Sequence, residues 1–491
     1  ELRAMVMALH RAGLRVGMDV VYNHTTASGQ AAKSVLDRVV PGYYHRLDAT
    51  GQVEHSTCCE NTAAENLMMG KLMIDSVVTW ATEYKIDSFR FDLMSFHPRA
   101  TMAALKAQVD AATGRDVQLL GEGWNFGEVQ SGARFVQASQ LSLGGSGIGT
   151  FSDRARDFVR GGGPFDGGIS LVQNQGFTNG LAYDDNGSGG GKTRADLLRA
   201  GDFVKLGLAG SLRDYPLTTA TGEVKRLAEI DYNGQPGGYV TDPQEVVNYV
   251  ENHDNQTLFD INVYKLPVAT SGEDRARAQL LAVALNAFSQ GIAYFHAGVE
   301  GLRSKSMDRN SFNSGDWFNR LDWTFTDNNF GVGAPMAGDN ADNYAILKPL
   351  LANPTIKPRP ADLAFARDGF RDLLAIRRSS ALFHLRTAAE VGQRLRFENV
   401  GPDQEPTVIA GHLDGRGYPG AGADDLLYLV NVDKVAHTLA LPDQAGKPYR
   451  LHPVHRRFDA ADHRPATAAA FDRATGTFTI PPRTTVVWVA G

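Results

Sequence analysis

A (β/α)₈ TIM-type barrel that lacks its first strands, followed by a C-terminal antiparallel β-sandwich, is the architecture that three features of this sequence predict. Apolar strand-like runs alternate with amphipathic helical stretches over the first two-thirds of the chain, the pattern of a parallel sheet with helical crossovers. Chemically active side chains recur just past the ends of those runs, as they do at the C-terminal face of such barrels. From about residue 384 the texture changes to short β-like runs separated by Gly, Pro and Asp, which reads as a sandwich.

The chain opens on an amphipathic helix, with Leu2, Met5, Val6 and Leu9 at helical spacing. It runs directly into LRVGMDVVY at 14–22. Further strand-like runs are KIDSFRFDL (85–93), VQLLGEG (117–123), VVNYVEN (246–252) and GIAYFHAG (291–298). Helices are expected within 71–85, 103–113 and 274–290, and FRDLLAIRRSSALF (370–383) should close the barrel region. The segment 150–245 is too long for one crossover and reads as loops inserted over the site. The expected domains are therefore 1–383, an incomplete barrel of about six strands, and 384–491, a β-sandwich built from runs such as TVIAGHL, LLYLVNV and TTVVWVA.

Composition narrows the function. The chain has 491 residues, 43% hydrophobic and 21% charged, with a net charge of −6. A nucleic-acid binder would carry a basic patch, and no apolar run reaches the ~18 residues of a membrane helix. No GxSxG, HExxH or P-loop pattern occurs, and no G-x-G-x-x-G follows a strand and opens a helix as a Rossmann fingerprint requires. The two cysteines, Cys58 and Cys59, are adjacent. Neighbouring Cα atoms lie ~3.8 Å apart, below the usual disulfide range, so both reduced thiols and a vicinal disulfide stay open. Neither cysteine has a His or Cys partner at metal-ligand spacing.

Four segments carry the chemistry: MDVVYNHT (18–25), FRFDLM (89–94), GEGWNF (121–126) and NHDNQT (252–257). Glycoside hydrolysis needs two carboxylates flanking the scissile bond. Asp92 closes one strand, with Arg90 on the same strand face. The guanidinium favours the ionised carboxylate that a nucleophile requires, although a purely structural Arg–Asp pair would look the same. Glu122 lies between Gly121 and Gly123, small neighbours that would let a bulky substrate approach. Partial desolvation beside Trp124 would suit a general acid, and Trp124 is either a sugar platform or a core indole. Asp254, with His253 beside it, would hold a distorted sugar ring. Asp19 is expected inside the barrel, bound to Arg90. His24 at the strand mouth and His97 five residues past Asp92 are candidate hydroxyl donors, with a loop or capping role open for His97. Asn255 reads as a glycan contact or a turn amide. All four segments should converge on one barrel face.

In that order the segments resemble the signature of the alpha-amylase superfamily over residues 1–380. Longer stretches narrow the resemblance: STCCENTAAENLMMGKLMIDSV (56–77), FRFDLMSFHP (89–98), GEGWNFGEV (121–129), GTFSDRARDFVRGGGPFDGG (149–168), YVENHDNQTLFDI (249–261) and LRSKSMDRNSFNSGDWFNRLDW (302–323). They resemble bacterial secreted pullulanases and plant limit dextrinases. The resemblance implies hydrolysis of α-1,6-glucosidic branch points in pullulan, amylopectin and limit dextrins by a retaining double displacement. It implies Asp92 as nucleophile, Glu122 as general acid/base and Asp254 as transition-state stabiliser. His24, Arg90, His97, Trp124, His253 and Asn255 would line the nearby subsites, with Arg309 a loop candidate. It calls for no cofactor, leaves room for a structural calcium ion, and implies an α-glucan substrate, a monomer and a secreted or cell-surface location. Family barrels begin two strands before MDVVYNH, so the chain is expected to start inside the barrel. Isoamylase or an α-1,4-acting amylase is the alternative within the class, and a catalytically silent glycan-binding fragment is the alternative outside it.

Overall fold

The computed structural model describes residues 1–491. The chain divides into two compact units, 1–151 with 239–247, and 152–238 with 248–491. The boundary expected at 384 falls inside the second unit.

In the first unit the strands Gly17–Val20, Ser88–Phe91, Gln118–Gly121, Gly149–Phe151 and Val246–Asn248 lie side by side in that order, and every pair is parallel. Helices Leu67–Glu83 and Arg99–Thr113 supply the crossovers. The period of two explains the layering. Phe89 and Phe91 are fully buried in a core with Met73, Val77, Met102 and Leu105 from those helices. Arg90, between them in sequence, faces the other way. Burying each Phe contributes on the order of 1.5–3 kcal/mol, which fixes the register, because a one-residue slip would send Arg90 into the helix layer. The strands are shorter than their apolar runs: 14–22 becomes Gly17–Val20 and 246–252 becomes Val246–Asn248. Gly149–Phe151 is a strand where an inserted loop was expected to begin. Three residues are too few to show an alternation.

The second unit is helical, then antiparallel. Helices Asp153–Arg160, Arg194–Leu208, Leu258–Lys265, Gly272–Ala287 and Pro360–Ser379 precede the C-terminal sheets. The run at 291–298 yields only the two-residue strand Ile292–Ala293. A five-stranded sheet runs Leu395–Phe397, Val408–Asp414, Asp425–Asn431, Thr484–Ala490, Arg450–Leu451. A three-stranded sheet runs His437–Ala440, Thr477–Ile480, Ala470–Asp472. All their pairings are antiparallel. Leu427, Leu429, Phe478, Ile480, Val486 and Trp488 form their shared core, as in a sandwich. Asp425–Asn431 is buried at every position because its second face is also covered. Tyr428 packs its ring 5.3 Å from Phe288 at the end of helix Gly272–Ala287. A sheet covered on both faces packs with its helices into one body.

Candidate active site

Arg90 organises the first unit's site. It sits beside Asp19 across the parallel pair Gly17–Val20 and Ser88–Phe91. Its Nη1 donates to Asp19 Oδ1 at 2.9 Å and to Asp92 Oδ1 at 3.2 Å. Its Nη2 lies 3.1 Å from Glu122 Oε1. Burial works against the charged guanidinium, but Glu122, Asp19 and Asp92 outweigh it and raise its pKa above the ordinary arginine value. One cation thus gathers three carboxylates from three strands. The expected Asp19–Arg90 pair is present, yet the Asp19 side chain is 57% exposed rather than enclosed. Gly17–Val20 is the outermost strand of that sheet, so no strand flanks Asp19 on its other side within this unit.

Glu122 is held as well as paired. Its second oxygen accepts the Leu93 amide at 2.9 Å. Leu93 adopts φ 35, a left-handed conformation that is costly for leucine; there the turn after Asp92 aims its N–H at Glu122. The glycines beside Glu122 are small for a different reason than substrate access. A Cβ on Gly121 would lie 2.6 Å from the Phe91 carbonyl and 2.9 Å from Met94 Cβ, and one on Gly123 would lie 2.6 Å from the Gln140 amide nitrogen. Both sites are closed by protein, so close packing demands glycine. Gly121→Ala is therefore expected to lower stability by ~1–3 kcal/mol, measured by urea denaturation. It should also lower activity, because the added methyl pushes Glu122 away from Arg90.

His24 is half-buried. Burial lowers its pKa, and Asp92 pulls the other way without cancelling the effect. Its Nδ1 bonds the Asn23 amide at 2.8 Å, and its Nε2 lies 3.7 Å from Cys58 Sγ. Cys58 and Cys59 are joined to each other as a vicinal disulfide with Cα atoms 3.8 Å apart. His24, Cys58 and Cys59 gather ligand atoms within 4.8 Å, but sulfurs bonded to each other offer no thiolate, so this trio does not suit a metal ion. His97 departs from its expected place. It is 0% exposed, and burial together with the Arg46 charge pushes its pKa down to about 3. A ring enclosed in the protein donates to no sugar in this conformation. Trp124 is half-buried in the loop after Glu122, with one part available to a ligand.

The second unit carries the fourth segment. His253 and Asp254 are both solvent-facing, with His253 Nε2 3.5 Å from Asp254 Oδ1. The His253 ring and amide both bond to Asn252 Oδ1, at 3.1 and 2.9 Å. Asn255 has φ 60 and donates its side-chain amide to the Pro164 carbonyl at 3.1 Å; Arg309 donates to the same carbonyl at 3.3 Å. Both residues thus brace the loop at 161–168, the bland role that the sequence left open for Asn255. Lys305 lies in the SKSMDR stretch with no motif of its own. A buried lysine has no periodic signature.

Comparison with known proteins supplies the rest. Residues 325–491 match the family described as alpha-1,6-glucosidases, pullulanase-type, C-terminal. The chain is 43% identical to Pullulanase 1, chloroplastic, of Arabidopsis thaliana, over 100% of this chain and 52% of that protein. It is 45% identical to the pullulanase of Klebsiella aerogenes, over 84% of this chain and 38% of that one. The crystal structure of apo pullulanase from Klebsiella pneumoniae superposes with a TM-score of 0.93 at 41% identity, over 99% of this chain and 52% of that chain. The chain spans about half the length of the relatives it matches. Three carboxylates on one arginine, a matching C-terminal region and identity above 40% to several pullulanases converge: over its whole length the chain is similar to pullulanases, and its residues 325–491 match the C-terminal part of pullulanase-type alpha-1,6-glucosidases.

Proposed function

We propose that this chain carries the chemistry of a retaining α-1,6-glucosidase acting on pullulan, amylopectin branch points and limit dextrins. The observation that carries the reading is the Arg90 cluster. Asp92 accepts from Arg90 Nη1 and Glu122 lies at ion-pair distance from Nη2, which gathers the two carboxyl groups at one guanidinium, in keeping with the close pair that a retaining enzyme uses. Asp92 attacks the anomeric carbon while Glu122 protonates the leaving oxygen. Glu122 then takes a proton from water, which releases the sugar from Asp92. Asp254 holds the hydroxyls of the distorted ring between these steps. The reaction needs no cofactor, and the substrate is a neutral α-glucan. The strand–helix alternation and the strand-end acids support a (β/α)₈ barrel. A secreted or cell-surface location remains a proposal; no helix is long and apolar enough to cross a membrane.

Isoamylase is the second reading, and the chain is only 25% identical to that of Pseudomonas sp.. Reducing-sugar release by the natural full-length protein decides between them. Maltotriose from pullulan, with amylose left intact, is the expected result; debranching of amylopectin with pullulan left intact would favour isoamylase, and hydrolysis of amylose an α-1,4-acting amylase. Glu122→Gln is expected to slow pullulan hydrolysis by about 10²–10⁴-fold. The loss should be much smaller for the first step on an aryl glycoside whose leaving group needs no proton. Equal losses on both substrates would remove Glu122 from the acid role. The first-formed anomer, followed by NMR, should be α; release of the β-anomer first would contradict double displacement.

A further inference from the structure

Lys305 is 1% exposed, and its Nζ donates to the His253 carbonyl at 2.7 Å. That carbonyl belongs to the peptide joining His253 to Asp254. The segment around Lys305 is held tightly. Leu302, Ser306 and Met307 all have positive φ, at 53, 51 and 65, conformations that are costly for residues other than glycine. Ser306 Oγ anchors one side to the Gly333 carbonyl at 2.6 Å. On the other side, fully buried Asp260 accepts from Ser304 Oγ at 2.5 Å and from the Lys305 amide at 2.8 Å. Asp260 lies in the first turn of helix Leu258–Lys265, whose cap is Thr257. The strained segment, the helix and the 253–254 loop are therefore clamped together, and Lys305 is the link that reaches the loop.

A buried ammonium is an expensive way to bind one carbonyl. Two of the three carboxylates around it are otherwise engaged. Both oxygens of Asp260 are taken, as above. Asp308 accepts from Asn340 Nδ2 at 3.0 Å and from Ser314 Oγ at 2.6 Å. Asp254 stays solvent-facing, with its only ion-pair neighbour at 3.5 Å. The cation thus stands beneath an acid that the reaction uses and whose own carboxylate is left open.

We propose that Lys305 is a positioning residue for Asp254, holding the His253 carbonyl so that the Asp254 carboxylate keeps its orientation during turnover. This rests on the α-1,6-glucosidase reading above.

The same placement gives the reaction a basic limb. Burial pushes the Lys305 pKa down to about 8; Asp260 on the helix, Asp308 on its own loop and Asp254 on the clamped loop oppose this, and Arg303 adds to the lowering. Because the shift is downward, the ammonium is present below about pH 8 and is lost above it. The neutral amine still donates to the His253 carbonyl. Position survives the titration, and the positive field at Asp254 does not.

The test uses the natural full-length protein with Lys305→Met, Lys305→Gln and Lys305→Arg. Kinetics on pullulan from pH 5 to 10 are combined with hydrogen exchange of the peptide 249–261. Lys305→Met is expected to lower kcat by about 100-fold, with KM within about threefold. It should also lose the basic limb and speed exchange of the amides at 253–257. Lys305→Gln keeps a donor without the charge. It should retain more amide protection than Lys305→Met, with a kcat that no longer falls as pH rises. Lys305→Arg keeps the charge at every pH tested and should recover part of kcat while moving the basic limb upward. If Lys305→Met does not fold, the Gln and Arg pair carries the same comparison. Unchanged exchange at 253–257, or a wild-type basic limb in Lys305→Gln, would overturn the proposal. If the wild-type protein releases no sugar from pullulan, the function reading fails, and the exchange comparison still decides whether Lys305 positions the loop.

Discussion

Asp92→Asn is expected to lower kcat on pullulan by on the order of 10⁴–10⁶-fold, the scale on which losing a covalent nucleophile acts. Asparagine keeps an oxygen where Arg90 Nη1 now bonds Asp92 Oδ1, and Asp19 and Glu122 still meet the guanidinium. The fold should persist, and the melting temperature should shift by no more than a few degrees. Glycan binding should survive, because an amide still bonds to hydroxyls. Mass spectrometry after incubation with a mechanism-based fluoroglycoside should show a covalent adduct on the wild-type protein and none on the variant. A variant that keeps more than a tenth of wild-type kcat would remove Asp92 from the nucleophile role and reduce it to a structural partner of Arg90.

Asp184→Asn is the substitution expected to cost most in stability. Arg483 donates to Asp184 at 2.6 Å, with side chains 5% and 7% exposed, and Lys434 approaches the other oxygen at 2.8 Å. The pair joins positions 299 residues apart, so it ties the turn before strand Thr484–Ala490 to the segment that follows helix Asp153–Arg160. Removing one partner leaves a buried guanidinium uncompensated, which costs ~3–5 kcal/mol. Asp274, 3.8 Å from the other terminal nitrogen of Arg483 and 47% exposed, offers only a partial substitute. Urea denaturation of the variant and of Asp184→Asn with Arg483→Met should show the double change to be milder than the sum of the singles. A loss below ~1 kcal/mol in Asp184→Asn would mean that water reaches the pair and screens it.

The candidate site was legible wherever chemistry follows a strand. FRFD and GEGW each end an apolar run, and a strand that must bury alternate residues against helices fixes which face its end presents. Phe89 and Phe91 go to the helix layer, so Arg90 and Asp92 cannot. The same logic failed for His97. Its position in sequence relative to Asp92 does not reveal that the turn through Leu93 carries the chain back under the surface. It failed for Gly121 and Gly123 too, because glycine in sequence records only that no side chain fits and not what stands in the way.

Sequence alone predicted the alternating order of strands and helices, the change to short β-like runs from about 384, and the acids that follow the apolar runs. Each of these is set by local periodicity or by residue chemistry that survives without neighbours. Only the tertiary structure decided that Arg90 binds three carboxylates at once, that Asp19 lies partly open on the outermost strand of its sheet, that Cys58 and Cys59 pair, and that Lys305 reaches the His253 carbonyl. These outcomes join residues far apart in the chain. They depend on which backbone segments pack within hydrogen-bond distance, and on how much water that packing excludes. No local pattern encodes either quantity, because both are properties of the folded neighbourhood rather than of the residues that enter it.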